Sequence, residues 1–163
     1  MKKILIILSI IILIGIYNKD ERIIIPSSSI RFRVIASSSS IEDQLIKNKV
    51  STSVIDYISK LNENVKTKEE AEENIVKNLS VINNIIENYT NNYNISFGNN
   101  LFPKKEYKGV EYPAGYYESL VIKLGNASGT NWWCCIYPSL CTIDPNVTKA
   151  EYTTLVKEML DKV

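Results

Sequence analysis

Both tryptophans and all three cysteines of the chain fall within the ten residues WWCCIYPSLC, from Trp132 to Cys141. So much aromatic area and sulfur in one short stretch must serve as a staple, a binding surface or a catalytic site. The preceding pattern constrains how it is held. Tyr116, Glu118, Leu120, Ile122 and Leu124 alternate with Tyr117, Ser119, Val121 and Lys123, the period-two signature of a strand. GNASG at 125–129 has hairpin-turn composition, and 132–137 would be the returning strand. The expectation is a pair of neighbouring antiparallel strands with the cysteine loop at its end.

A strand is also expected over 30–36, with Ile30, Phe32, Val34 and Ala36 on a core face and Arg31, Arg33 and Ile35 on the other. Serines 37–40 end it, and Ser40 with Asp43 has capping-box spacing for a helix over about 41–61. Its apolar stripe reads Ile41, Leu45, Val50, Val54, Tyr57, Ile58 and Leu61. Thr67 with Glu70 opens a second helix over about 68–88, striped by Ala71, Ile75, Leu79, Ile82, Ile86 and Tyr89. Tyr93, Ile95 and Phe97 alternate as a short strand. Thr148 with Glu151 caps a C-terminal helix that carries Tyr152, Leu155, Val156, Met159 and Leu160. The fold class expected is α/β of the α+β type: a small, mainly antiparallel sheet, two long helices on one face and a C-terminal helix.

Lys2 and Lys3 precede an apolar run over 4–14, the form of a signal peptide or signal anchor spanning 1–17. Residues 18–29 read as a tether, and 30–163 as one globular domain. The body would then lie outside the membrane, where disulfides form, with membrane contact only through the N-terminal segment if it is not cleaved. Removing the four basic and two acidic side chains of the first 22 residues leaves the remainder at −1, too little positive charge for nucleic acid. The chain has no histidine, the commonest general base near neutral pH and the commonest metal ligand.

Cys134 and Cys141 are seven apart, and a bridge between them would close a small loop worth about 2–3 kcal/mol. A Cys135–Cys141 bridge and a fully reduced loop stay open as alternatives. Cys134 cannot readily pair with Cys135, because adjacent Cα atoms lie about 3.8 Å apart, short of the usual disulfide distance. Cys135 falls on the opposite strand face and reads as a buried free thiol. Three thiols in one loop, with no histidine, point to no metal, no cofactor and no cysteine nucleophile. The enzymatic alternative is a cell-wall-directed glycoside hydrolase or lytic enzyme, with Glu118 as acid and Glu111 as second carboxylate.

Three blocks of this sequence, IRFRVIASSSSIEDQLIKNKV (30–50), LFPKKEYKG (101–109) and YPAGYYESLVIKLGNASGTNWWCCIYPSLC (112–141), resemble the stage II sporulation protein R family of endospore-forming bacteria. The resemblance implies export from the forespore into the space between the forespore and mother-cell membranes. There, family members switch on a membrane-embedded aspartic protease, which removes the pro-sequence of a mother-cell sigma factor. It implies a ligand rather than an enzyme, with the extracytoplasmic part of that protease as partner. The family signature falls on Arg33-Val34-Ile35-Ala36 with Glu42, Asp43 and Gln44, its cysteines on Cys134 and Cys141, and its tryptophan pair on Trp132 and Trp133. Two departures stand out: Ser37 to Ser40 replace the usual Asn-Ser-Asp-Ser, and Cys135 is an extra thiol at an apolar position. Arg31, Arg33, Tyr116, Tyr117, Trp132 and Trp133 form the expected contact surface, since arginine and aromatic residues give hot spots. The alternative for the two arginines is a solvated strand face.

Overall fold

Strand β2 (Ile30–Ile35) organises the molecule, because its alternation lets it bury both faces at once. The computed structural model describes residues 22–162, so the signal segment at 1–17 lies outside the described residues. With β3 (Tyr93–Phe102), β6 (Gly115–Leu124) and β7 (Asn131–Tyr137), β2 makes a four-stranded sheet in the order β3-β6-β2-β7. The pairs β3–β6 and β2–β7 are antiparallel and β2–β6 is parallel, so the sheet is mainly antiparallel. A smaller sheet joins β1 (Ile23–Ile24), β4 (Lys105–Tyr107) and β5 (Val110–Tyr112), with β5 in the middle. Residues 23–25, read from sequence as tether, therefore belong to the fold: Ile25 is fully buried and its amide donates to the Glu111 carbonyl at 2.9 Å.

One face of the large sheet carries Ile30, Phe32, Val34, Leu120, Ile122 and Leu124 and is covered by helices. Helix α1 (Ile41–Leu61) presents Val50, Val54, Ile55 and Ile58 to it. The Ser40 hydroxyl caps α1 by accepting the Asp43 amide at 3.2 Å. Ile41 and Leu45, expected in the apolar stripe, are instead exposed, because the buried face of α1 begins only at Lys47. The second expected helix is two: α2 (Lys68–Lys77) and α3 (Leu79–Glu87). Asn78 breaks it, its side chain bonding back to the Asn74 carbonyl at 2.8 Å and accepting the Tyr57 hydroxyl at 2.8 Å. Helix α4 (Lys149–Leu160) has the full Thr148–Glu151 capping box. It packs Tyr152 and Val156 with Ile23, Ile25, Val110, Cys135 and Leu140 in a second core. A short 3₁₀ turn, Leu140–Thr142, follows β7.

The expected hairpin between β6 and β7 is not formed. The two strands run antiparallel, but β2 lies between them, and the GNASG loop crosses the end of β2. The Gly129 amide donates to the Ala36 carbonyl at 3.0 Å and the Ser128 amide to the Ser37 carbonyl at 3.1 Å, so the loop is clasped onto the β2–α1 turn. Turn composition is common to a hairpin and to such a crossing; the close approach of Gly129 is particular to the crossing. A Cβ there would stand 2.1 Å from the Ser38 carbonyl oxygen. Gly129→Ala should therefore cost about 1–3 kcal/mol, as overpacking does. It should lower the urea midpoint without changing the denaturant slope; an unmoved midpoint would contradict the clasp.

The family's strand-to-helix signature takes its physical meaning from the same clasp. The Gln44 amide donates to the Ser38 carbonyl at 2.7 Å, while its oxygen accepts from Lys47 at 2.7 Å and from the Thr130 hydroxyl at 2.6 Å. The Ser38 hydroxyl donates to the Asp43 carboxylate at 2.5 Å. Serines at 37–40 thus keep the capping and bridging roles open to the side chains they replace.

Candidate functional site

Strand β7 splits the WWCC run between two cores. Trp132 and Cys134 lie on the helix side, where the Trp132 ring meets Phe32 edge-on with centroids 5.6 Å apart. Cys134 is bridged to Cys141 across a Cα separation of 5.2 Å, so the open choice among pairings resolves to this disulfide. Cys135 is the free thiol, fully buried in the second core. Burial pushes its thiol up to about 11, so it is neutral at physiological pH and a poor nucleophile.

On the same side as Cys135, the opposite face of the large sheet is also buried. Arg31 is 2% exposed, so neither the solvated face nor the open contact surface expected for it is present. Its guanidinium carbon stands 3.4 Å from the Tyr117 ring centroid, 5.5 Å from that of Phe102 and 5.7 Å from that of Tyr112. Tyr117 leaves the expected surface for the same reason: it is buried, edge-on to Phe102, with its hydroxyl donating to the Pro113 carbonyl at 3.0 Å. The covering elements are the end of β3, the small sheet and α4. Strand alternation fixed which way Arg31 points but carried no sign of this distant lid.

The cage makes unusual electrostatics. Burial pulls the Arg31 guanidinium below its ordinary value; a guanidinium nevertheless stays charged. None of its three nitrogens has a hydrogen-bond partner. The aromatic faces stabilise the cation through their quadrupoles but accept no N–H bond in the plane of the fork. Tyr112 and Tyr152 share a hydroxyl–hydroxyl bond of 2.7 Å, and burial raises both phenols, so they stay neutral. Arg33 is half-buried, 5.5 Å from the Trp133 ring and 5.9 Å from Phe102. Trp133 meets Phe102 edge-on at 5.5 Å. Of the expected surface residues, Tyr116 is the most open, 68% exposed.

Arg31 and both tryptophans line one cavity of about 340 Å³, together with Phe102, Tyr112 and Tyr152. The last three were not singled out from sequence; the signal available was the aromatic density of YKGVEYPAGYY and a tyrosine on the inner face of α4.

The glutamates of the enzymatic alternative are not brought together in a cavity. Glu118 is held by Lys68 at 2.7 Å, and Glu111 by Lys104 at 3.0 Å. Glu111 lines a second cavity beside β1 and α4, whereas Glu118 lines neither. The carboxylate beside Glu118 is Glu72, which burial and then the charge of Glu118 push above the usual carboxylate range.

Residues 26–147 match the family model described as stage II sporulation protein R, a range that takes in the clasp, the arginine cage and the disulfide. The chain is similar to the stage II sporulation protein R of Bacillus subtilis (strain 168), 34% identical over 151 residues, which are 89% of this chain and 65% of that protein. It thus spans somewhat less than two thirds of that relative's length. No solved structure matches.

Proposed function

The chain belongs to the stage II sporulation protein R family, which gives it a general role in sporulation signalling, and on that premise we propose that it is an exported ligand rather than an enzyme. It acts in the space between the forespore and mother-cell membranes. There it binds the extracytoplasmic part of a membrane-embedded aspartic protease, raises that protease's activity and so triggers processing of a mother-cell pro-sigma factor. The observation that carries this reading is the family match over 26–147, continuous through every element that builds the clasp and the cysteine loop.

A ligand of this kind must bind the active receptor state more tightly than the inactive one, and it needs exposed anchors to do so. Two apolar pairs have that character. Ile41 and Leu45, 82% and 54% exposed, are one turn apart on α1. Leu101 and Tyr116, 59% and 68% exposed, face each other across β3 and β6. Exposed pairs of large apolar side chains are the surface features most suited to a partner.

The test is a processing assay in which the chain is exported beside the protease and its precursor substrate. Glu118→Gln is expected to leave processing nearly intact, because its carboxylate serves a partly exposed ion pair with Lys68, and such pairs contribute at most about 1 kcal/mol. Complete loss of processing by a variant that folds normally would instead favour the hydrolase reading.

A further inference from the structure

The cavity beneath the cysteine loop contains two cations, Arg31 and Lys105, and no carboxylate among its lining residues. Buried charges in proteins are ordinarily paired, because an isolated one is costly to desolvate. The acids of the small sheet, Glu106 and Glu111, line the second cavity instead, and Glu118 is paired with Lys68. The thiol of Cys135, opposite Arg31 in the β2–β7 register, is neutral and supplies no counter-charge. Two further lining groups are also without a hydrogen-bond partner: the Trp133 indole N–H and the Asn131 side-chain oxygen. A guanidinium fork, an indole N–H and a rim ammonium are donors and positive charge, held among aromatic rings. That combination suits one anion with two acceptor oxygens on an apolar stem.

We propose that this cavity is a receptor site for a single carboxylate presented by a peptide partner, with Arg31 as the buried anchor, the Trp133 N–H as second donor and Lys105 at the rim. Lys105 is placed for this role, its ammonium 4.9 Å from the Trp133 ring centroid. The aromatic walls take the apolar part of the residue that bears the carboxylate or of its neighbour. Choosing a peptide as the source rests on the ligand reading above; the preference for carboxylate rests on the cavity alone.

The experiment uses the purified full chain and three probes: acetyl-Leu-Glu-amide, its neutral counterpart acetyl-Leu-Gln-amide, and acetyl-Ala-Leu with a free C-terminus. Binding is followed by tryptophan fluorescence and by the NMR resonances of the Trp133 indole N–H and the Arg31 side chain. At least one acidic probe should bind about tenfold or more tightly than the glutamine peptide and shift both resonances. Whichever acidic probe binds better identifies side chain or chain terminus as the source. Arg31→Met should abolish the preference for acid. If that variant does not fold, the wild-type resonances still decide. Equal affinity for acid and amide, no binding by any probe, or binding that leaves the Arg31 and Trp133 resonances unmoved would each overturn the proposal. The titration reads the cavity without the protease, so a flat titration leaves the processing test standing, and a failed processing test leaves the titration standing.

Discussion

Phe32→Ala should remove a large part of the stability of the protein. Phe32 is fully buried on β2, between β6 and β7, with Leu120 and Cys134 as its register partners. Its ring also supports Trp132 edge-on, so truncation opens a void under the cysteine loop as well as in the helix-covered core. Phe→Ala changes in such sites cost about 3–5 kcal/mol, against a total stability of about 5–15 kcal/mol for an ordinary domain. Chemical denaturation should show the loss as a large drop in midpoint, and near-complete unfolding if the protein sits at the low end of that range. A change of less than about 1 kcal/mol would mean that β2 is not the central strand.

The second large effect is expected at the disulfide. Cys134→Ser opens the short loop that returns the chain from β7 toward α4, and loss of the bridge should cost about 2–3 kcal/mol. The loss should appear only against an oxidised reference. In reductant the wild type gives up the same constraint, and the two melting curves should approach each other. Equal differences with and without reductant would show that the side chain at 134, rather than the bridge, is responsible. Cys135→Ser offers a contrast. It places a hydroxyl in the second core beside Val110 and Val156 and should destabilise in both conditions, because the cost is burial of a polar group.

Local signals carried much of the architecture. Each of the three Ser/Thr N-caps expected from spacing accepts the amide three residues on, at Ser40, Thr67 and Thr148, but only Thr148 with Glu151 closes the full reciprocal box. The bridge between Cys134 and Cys141 was legible for the same reason: the two cysteines are seven residues apart, and the reach of a disulfide is short. The placement of β2 between β6 and β7 was not. Which strands become neighbours is decided by pairing between distant segments, and the 125–129 loop carries turn residues that suit either connection. Gly129 is where the difference shows, because the crossing brings its backbone onto Ser38.

The arginine cage was hidden by the same non-locality. Alternation put Arg31 opposite the apolar face, and a charged residue opposite a core reads as solvated. Its burial comes from Phe102, Tyr112 and Tyr117, some seventy to ninety residues away in the chain. The exposure of Ile41 and Leu45 was missed because a helical stripe says which residues share a side, but not where along the helix the sheet beneath it ends. Those two misreadings have opposite consequences for function. The first withdraws Arg31 and Tyr117 from the open surface and places the guanidinium inside a cavity. The second adds an exposed apolar pair directly beside the family's strand-to-helix signature.

Precursor processing, followed when the protease and its pro-sigma substrate are produced with and without this chain exported beside them, tests the signalling reading most directly. The account predicts that cleavage of the pro-sequence depends on the chain, persists in Glu118→Gln, and weakens strongly when Ile41 and Leu45, or Leu101 and Tyr116, are replaced by glutamate in variants that still fold. Cleavage that proceeds equally without the chain, or a folded Glu118→Gln variant that abolishes it, would contradict the account.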